Sequence, residues 1–221
     1  MFHFLERNPF LFTVFLFITV AWAGVVEALP NFAKMSQPLV GTKPYTVLQL
    51  AGRQVYIKDS CNACHSQLIR PFKSETDRYG HYSVSGEYAY DRPFLWGSKR
   101  TGPDLHRVGN YRTTDWHENH MWEPSAVVPG SIMPSYKHQF TNLADIETAW
   151  AEAETVKKVF NVPYDKEGMP KLGTLNDAKA EALEEAKKIA AGMKNQKVKD
   201  AVASGKIPEI VALIAYLNSL K

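Results

Sequence analysis

Cysteine is nearly absent from this 221-residue chain: there are two, three positions apart. That excludes a disulfide-stapled scaffold, because the spacing is poor for a staple and suited to a redox pair or a cofactor tether. Charge of one sign is lacking too. The 26 Lys and Arg against 23 Asp and Glu leave only +3, no basic run occurs, and nucleic acid is not an expected partner. No nucleophile elbow, phosphate loop or zinc-protease motif is present, so no hydrolytic or nucleotide-dependent active site is expected. No internal repeat is visible. The 22% charged and 45% hydrophobic content is that of a globular chain able to bury one sizeable core.

What the chain does have is one long uncharged run. Residues 10–26 (FLFTVFLFITVAWAGVV) are 17 apolar or neutral positions, spanning about 26 Å as a helix at 1.5 Å per residue. Pro9 suits the first turn, where its missing N–H costs nothing, and Leu29-Pro30 supplies an expected stop. Ala21-Trp22-Ala23 imitates a signal-peptide cleavage site. The run is long for such a peptide and its cationic start is weak, so a retained anchor over 1–30 is expected. Flanking charge does not orient it, since Arg7 stands against Lys34 and Lys43.

Residues 31–45, with Pro38, Pro44 and Gly41, read as an extended linker, and 46–221 as one domain. Helical spacing appears over 46–59 (Val47, Leu50, Ala51, Val55) and 145–160 (Ile146, Ala149, Ala153, Val156, Phe160). It recurs over 175–193 (Ala182, Ala186, Ile189, Met193) and 208–220 (Ile210, Leu213, Ile214, Leu217). A short helix is expected over 115–122. Residues 66–101, rich in Gly, Pro and aromatics, read as a long loop with a short hairpin around 82–90; loops of that length are usually functional.

The chemistry concentrates at Cys61-Asn62-Ala63-Cys64-His65. Two thiols three apart at a helix start can add to both vinyl groups of one haem, and the next His then lies under the iron as axial ligand. A thioredoxin-like redox pair lacks its βαβ context, and a zinc site lacks its other ligands. With one such motif, one covalently bound haem c is expected. Met133 sits in Val-Pro-Gly-Ser-Ile-Met-Pro (128–134) among turn formers, as a sixth ligand folded over the haem would. Met35, Met121, Met169 and Met193 read as packing or surface. Arg107 pairs with a haem propionate or lies on the surface, and spacing does not separate the two. Trp116 lines the haem edge or belongs to the core. His117 and His120, three apart, are placed on the surface in preference to a metal site; His3, His81, His106 and His138 complete the histidines.

The 128–134 string resembles the ligand loop of class I cytochromes c. Thr101-Gly-Pro-Asp-Leu resembles the loop of that class in which a proline carbonyl, here that of Pro103, accepts the ring N–H of the haem His. Residues 65–88, 96–109 and 128–135 together resemble the mono-haem subunit II of cbb3-type cytochrome c oxidases. The likeness runs from about the anchor to residue 140 and resumes over 207–220, and nothing is carried onto 165–205. It implies an all-α fold: a single transmembrane helix, then a class I cytochrome c domain with an extended loop and extra C-terminal helices. It implies an electron-relay subunit of the bacterial inner membrane, its domain in the periplasm. Electrons would come from a di-haem cytochrome c subunit or soluble cytochrome c and leave for the catalytic haem-copper subunit, with no oxygen chemistry in this chain. Tyr79, Tyr82, Tyr88, Tyr90 and Trp96 would then face a partner or pack over the haem. Rival readings are the cytochrome c subunit of a nitric oxide reductase, a free membrane-tethered carrier, and a subunit that holds haem only structurally.

Overall fold

The computed structural model describes residues 2–32 and 37–221. Lys34, Met35 and part of the expected linker lie outside the described residues. Every named element is helical, and among the described residues the one β-contact is an isolated bridge between Leu143 and Pro208. The all-α expectation holds.

A short helix α1 (Phe2–Glu6) precedes α2 (Pro9–Phe32). Pro9 opens α2, and the hydroxyls of Thr13 and Thr19 bond back to the carbonyls of Pro9 and Phe15 at 2.9 and 2.8 Å. These two polar side chains are thereby satisfied within the helix itself. The stretch Pro9–Leu29 is 21 residues with none of it buried inside the protein; at 1.5 Å per residue it reaches about 32 Å. It is long and apolar enough to cross a membrane. The stop expected at Pro30 comes two residues later, at Phe32. A proline so near the end removes one intrahelical bond from a turn that is ending anyway.

The domain is organised around a helix crossing. Helix α3 (Val47–Lys58) starts at a capping box in which Thr46 and Gln49 satisfy each other's backbone N–H. It packs on the C-terminal helix; the intervening helices are α4 (Lys73–Tyr79), α5 (Thr114–Trp122), α6 (Pro124–Val127), α7 (Ile146–Phe160), α8 (Leu175–Ala191) and α9 (Gln196–Ala203), and the last is α10 (Glu209–Ser219). The crossing is closest at Gly52, where a Cβ would stand 1.9 Å from the Ala212 carbonyl oxygen. Only glycine fits there. Ile210, Leu213, Ile214 and Leu217 are fully buried, each contributing about 1.5–3 kcal/mol. Ala149 and Ala153 of α7, and Ala178, Ala182, Ala186 and Ala190 of α8, form buried small-residue stripes that let these helices approach the crossing. Tyr216 joins Tyr45 and Tyr56 edge to face, with ring centroids 5.6 and 5.5 Å apart.

Residues 66–101 differ from expectation. They contain α4 and a 3₁₀ turn at Ser85–Tyr88, and no hairpin forms. Side chains take the place of strand pairing: the Tyr88 hydroxyl donates to the Gln67 carbonyl at 2.6 Å, and the Ile69 N–H donates to Ser83 Oγ at 2.8 Å. Helix α9 was not visible in the pattern; Asn195 caps it, and only Val198 and Val202 anchor it.

Candidate functional site

The cysteine motif follows the end of a helix, which corrects its expected place at a helix start. Asp59 closes α3, Ser60 takes a left-handed conformation at φ 56°, and Cys61–Ala63 form one 3₁₀ turn. The Cys64 and His65 N–H groups both donate to the Cys61 carbonyl, at 3.1 and 2.9 Å. The turn therefore gathers two free thiols and an imidazole on a single backbone carbonyl. Cys61 is buried and Cys64 exposed. Burial, reinforced by Asp59, pushes the Cys61 thiol up to about 12.

The loop 101–105 is docked against this turn. The Gly102 N–H donates to the Cys64 carbonyl at 3.0 Å and the Leu105 N–H to the Ser66 carbonyl at 2.9 Å. Buried Asp104 accepts from Ser66 Oγ at 2.6 Å, the Leu68 N–H at 2.8 Å and the His106 N–H at 2.9 Å. Arg100 bridges Ser66 Oγ at 2.7 Å and Glu75 at 2.8 Å, and its hydrogen bond holds the Glu75 carboxyl down to about 2. So pinned, Pro103 presents its carbonyl to His65 Nδ1 at 2.8 Å. A carbonyl only accepts, so Nδ1 carries the proton and Nε2 keeps its lone pair for a metal. Burial lowers the His65 pKa and favours this neutral form. The ring lies against Gly102, where a Cβ would come within 2.2 Å of Cε1. The sequence assigns Gly102 and Asp104 only to the resembled loop and gives no role to Ser66 or Arg100; polar types beside the motif were the available signal for Ser66, Arg100 and Asp104.

Met133 is half-buried and packs against the core cluster that includes Cys61 and Met121. Its loop turns at Gly130 with φ 78° and is tied down beyond Met133. The Tyr136 N–H donates to the Met121 carbonyl at 2.8 Å, and Gln139 and His138 reach Asp59 at 2.6 and 3.0 Å. Tyr136 is near enough to Cys61 and Cys64 for their charge to add to burial in raising its hydroxyl to about 12. The loop carrying Met133 thus returns to the turn carrying the thiols.

Arg107 is not brought to that turn. Its guanidinium bonds Glu87, the Lys221 carbonyl at 2.9 Å and the His81 carbonyl at 3.3 Å, so its donors are committed within the protein. His117 and His120 are not on the surface: His117 is 2% exposed and His120 half-buried. Burial pushes both down to about 4, and His117 Nε2 and His120 Nδ1 have no hydrogen-bond partner among the described residues. Such an orphan costs about 1–3 kcal/mol. No group of three or more His, Cys, Asp or Glu side chains among the described residues could hold a metal ion. Trp116 stacks on His120 at 4.5 Å and carries Arg112 on its face at 4.2 Å. Tyr88 is buried and therefore not a partner contact, while Tyr82 stays exposed.

An all-helical domain with a C-x-x-C-H turn, behind a helix able to cross a membrane, defines a class of membrane-tethered, cytochrome c-like architecture. The family model for the cytochrome c oxidase mono-heme subunit, FixO, matches residues 2–221. The chain belongs to this family, and so to the subunits of an oxidoreductase complex. The match includes 141–206, where the sequence carried no resemblance, and it favours the oxidase over the nitric oxide reductase reading. A search of curated proteins returned no match.

The residues present fit one haem: two free thiols three positions apart, an imidazole with one nitrogen free, a glycine against the ring, and orphaned buried nitrogens on α5.

Proposed function

We propose that the chain relays single electrons through one haem c held by thioethers at Cys61 and Cys64, with His65 Nε2 and Met133 Sδ as axial ligands. The observation that carries this reading is the 2.8 Å contact of His65 Nδ1 with Pro103. It fixes the tautomer, orients the ring and strengthens Nε2 as a donor. Bound haem supplies the one-electron couple. The chain's own part is to hold, orient and shield. The Asp104 bonds keep Pro103 in place and Gly102 lets the imidazole lie against the backbone, while the 131–136 loop would bring Met133 to the iron. Met133 would supply a thioether to the iron, and an iron so held would suit electron transfer and not oxygen chemistry.

In this reading α2 anchors residues 1–30 in the inner membrane of a bacterium, and 46–221 form a periplasmic domain beyond the linker 31–45. Electrons arrive from a di-haem cytochrome c subunit or a soluble cytochrome c and pass to the catalytic haem-copper subunit. The test begins with the purified chain: a pigment that survives acidified acetone is expected, as is loss of the methionine–iron charge-transfer band in Met133→Ala. In the assembled oxidase complex the same variant is expected to reduce turnover. A colourless chain, or pigment extracted by acid acetone, would overturn the reading.

A further inference from the structure

The second half of the expected linker folds back on the domain. The Leu39 N–H donates to the Gly86 carbonyl at 3.4 Å, and a Cβ on Gly86 would stand 2.6 Å from the Gln37 carbonyl oxygen. A turn follows, in which the Thr42 N–H donates to the Leu39 carbonyl at 3.0 Å, and the Tyr45 carbonyl then accepts from the Tyr164 hydroxyl at 2.8 Å. Residues 39–46 and the stretch carrying Glu87, Tyr88, Tyr90 and Asp91 together line a cleft of about 510 Å³. A cleft of that volume is the size of a small-molecule site. Neither the cysteine turn nor Met133 lines it, so what it binds is independent of the relay reading.

Asp91 sets the chemistry of this cleft. It is 4% exposed and has no ion pair among the described residues; Tyr45 is its hydrogen-bonding side chain. The two arginines whose charges act on it give their donors elsewhere. Arg53 donates to the Arg92 and Pro93 carbonyls and lies 3.9 Å from Glu152, and Arg92 donates to the backbone carbonyl of Asp91. Burial raises the Asp91 carboxyl to about 6, so at neutral pH it is an enclosed anion. Such anions are paired in native proteins. Glu87 is already held, by Arg107 and by the Val84 N–H at 2.8 Å.

A bare metal ion does not fit, because no group of three or more His, Cys, Asp or Glu side chains among the described residues could hold one. A primary ammonium does, since its N–H donors can serve the carboxylate directly. Lys43, exposed on the same cleft and without an ion pair among the described residues, offers a cation to an anionic group attached to that ammonium. We propose that the cleft binds a primary ammonium carried on a phosphate ester, with the ammonium on Asp91 and the phosphate on Lys43. A phosphoethanolamine head group has this form. Leu39 lies seven residues beyond Phe32, the end of α2, which is at most about 25 Å of chain. In the reading of α2 as an anchor, a lipid head group is therefore within reach of the cleft.

The test is calorimetric titration of the full-length chain in detergent with soluble phosphoethanolamine, dihexanoyl phosphatidylethanolamine and dihexanoyl phosphatidylcholine, repeated on Asp91→Asn and Lys43→Gln. Far-ultraviolet circular dichroism controls for folding; Lys43 is exposed, so its variant leaves the core alone. The unmodified chain is expected to bind an ethanolamine compound. The choline lipid, which has no N–H to donate, is expected to bind about tenfold more weakly. Asp91→Asn should weaken ethanolamine binding by about the same factor, and Lys43→Gln by about threefold, as an exposed charge would. Both source results support the site: equal binding of the soluble and lipid forms assigns a soluble amine, and binding of the lipid alone assigns the membrane. No binding of either ethanolamine compound would sink the proposal, as would equal binding of the choline lipid or undiminished binding in a folded Asp91→Asn. Should Asp91→Asn fail to fold, the comparison of ethanolamine with choline on the unmodified chain decides alone.

Discussion

The ring nitrogen Nδ1 of His65 and the carbonyl oxygen of Pro103 stand 2.8 Å apart, although 38 residues separate them in the chain. The contact depends on a loop whose every bond to the cysteine turn is made by backbone or by Asp104. It is therefore sensitive to substitutions at positions other than His65 itself.

Gly102→Ala is the sharpest of these. The added methyl would stand 2.2 Å from His65 Cε1, so ring or loop must move. The expected cost is about 1–3 kcal/mol of stability, with a weaker Pro103 bond, a poorer Nε2 donor and hence a higher reduction potential. Urea unfolding and a redox titration of the same sample measure both.

Asp104→Asn keeps the volume but removes one acceptor oxygen from a group that serves Ser66, Leu68, His106 and Arg100. Hydrogen bonds to a charged group are worth about 1.5–3 kcal/mol each, and a loss of that order is expected in the urea midpoint. Hydrogen exchange at the Leu68 amide should speed up, while that of the α10 amides follows global unfolding only.

Gly52→Val tests the helix crossing apart from the site. Its Cβ would overlap the Ala212 carbonyl oxygen at 1.9 Å and Tyr216 Cβ at 2.9 Å. A loss of about 3 kcal/mol or more follows from forcing two packed helices apart, lowering Tm by about 2–4 °C per kcal/mol for a chain of this size. Circular dichroism melting should find the decrease. An unchanged Tm would mean that α3 and α10 do not cross at Gly52.

Acid should weaken the protein through Glu75. Its carboxyl is lowered from 4.5 to about 2, chiefly by the Arg100 hydrogen bond. A depressed carboxyl binds fewer protons folded than unfolded, so its stabilisation is complete above pH 4.5 and is lost as pH falls toward 2. Glu75→Gln should be less stable than the parent at neutral pH, and the gap should close across that window. Urea titrations at a series of pH values measure it.

The sequence made some of this legible and hid the rest for identifiable reasons. Helices α3, α7, α8 and α10 announce themselves because each must bury an apolar stripe, and their observed bounds fall within a residue or two of that pattern. Helices α4 and α9 are short, with too few apolar positions to show a period. The hairpin expected near Tyr82 failed because Tyr88 and Ser83 spend their hydroxyls on backbone groups of 67–69, and no residue pattern reveals such a partner. At the candidate site, the Pro103 carbonyl that meets His65 Nδ1 was expected from resemblance. The commitment of Arg107 to Glu87 and two backbone carbonyls was not legible, because spacing does not reveal a guanidinium's partners.

Asp59 closes α3 two residues before Cys61, and the same carboxylate receives Gln139 and His138 from beyond Met133. One short joint therefore ties the turn that carries Cys61 and Cys64 to the segment that follows Met133. In the proposed relay the two ligand-bearing segments would hang from a common post, and a centre held so would have little to rearrange when its charge changed by one.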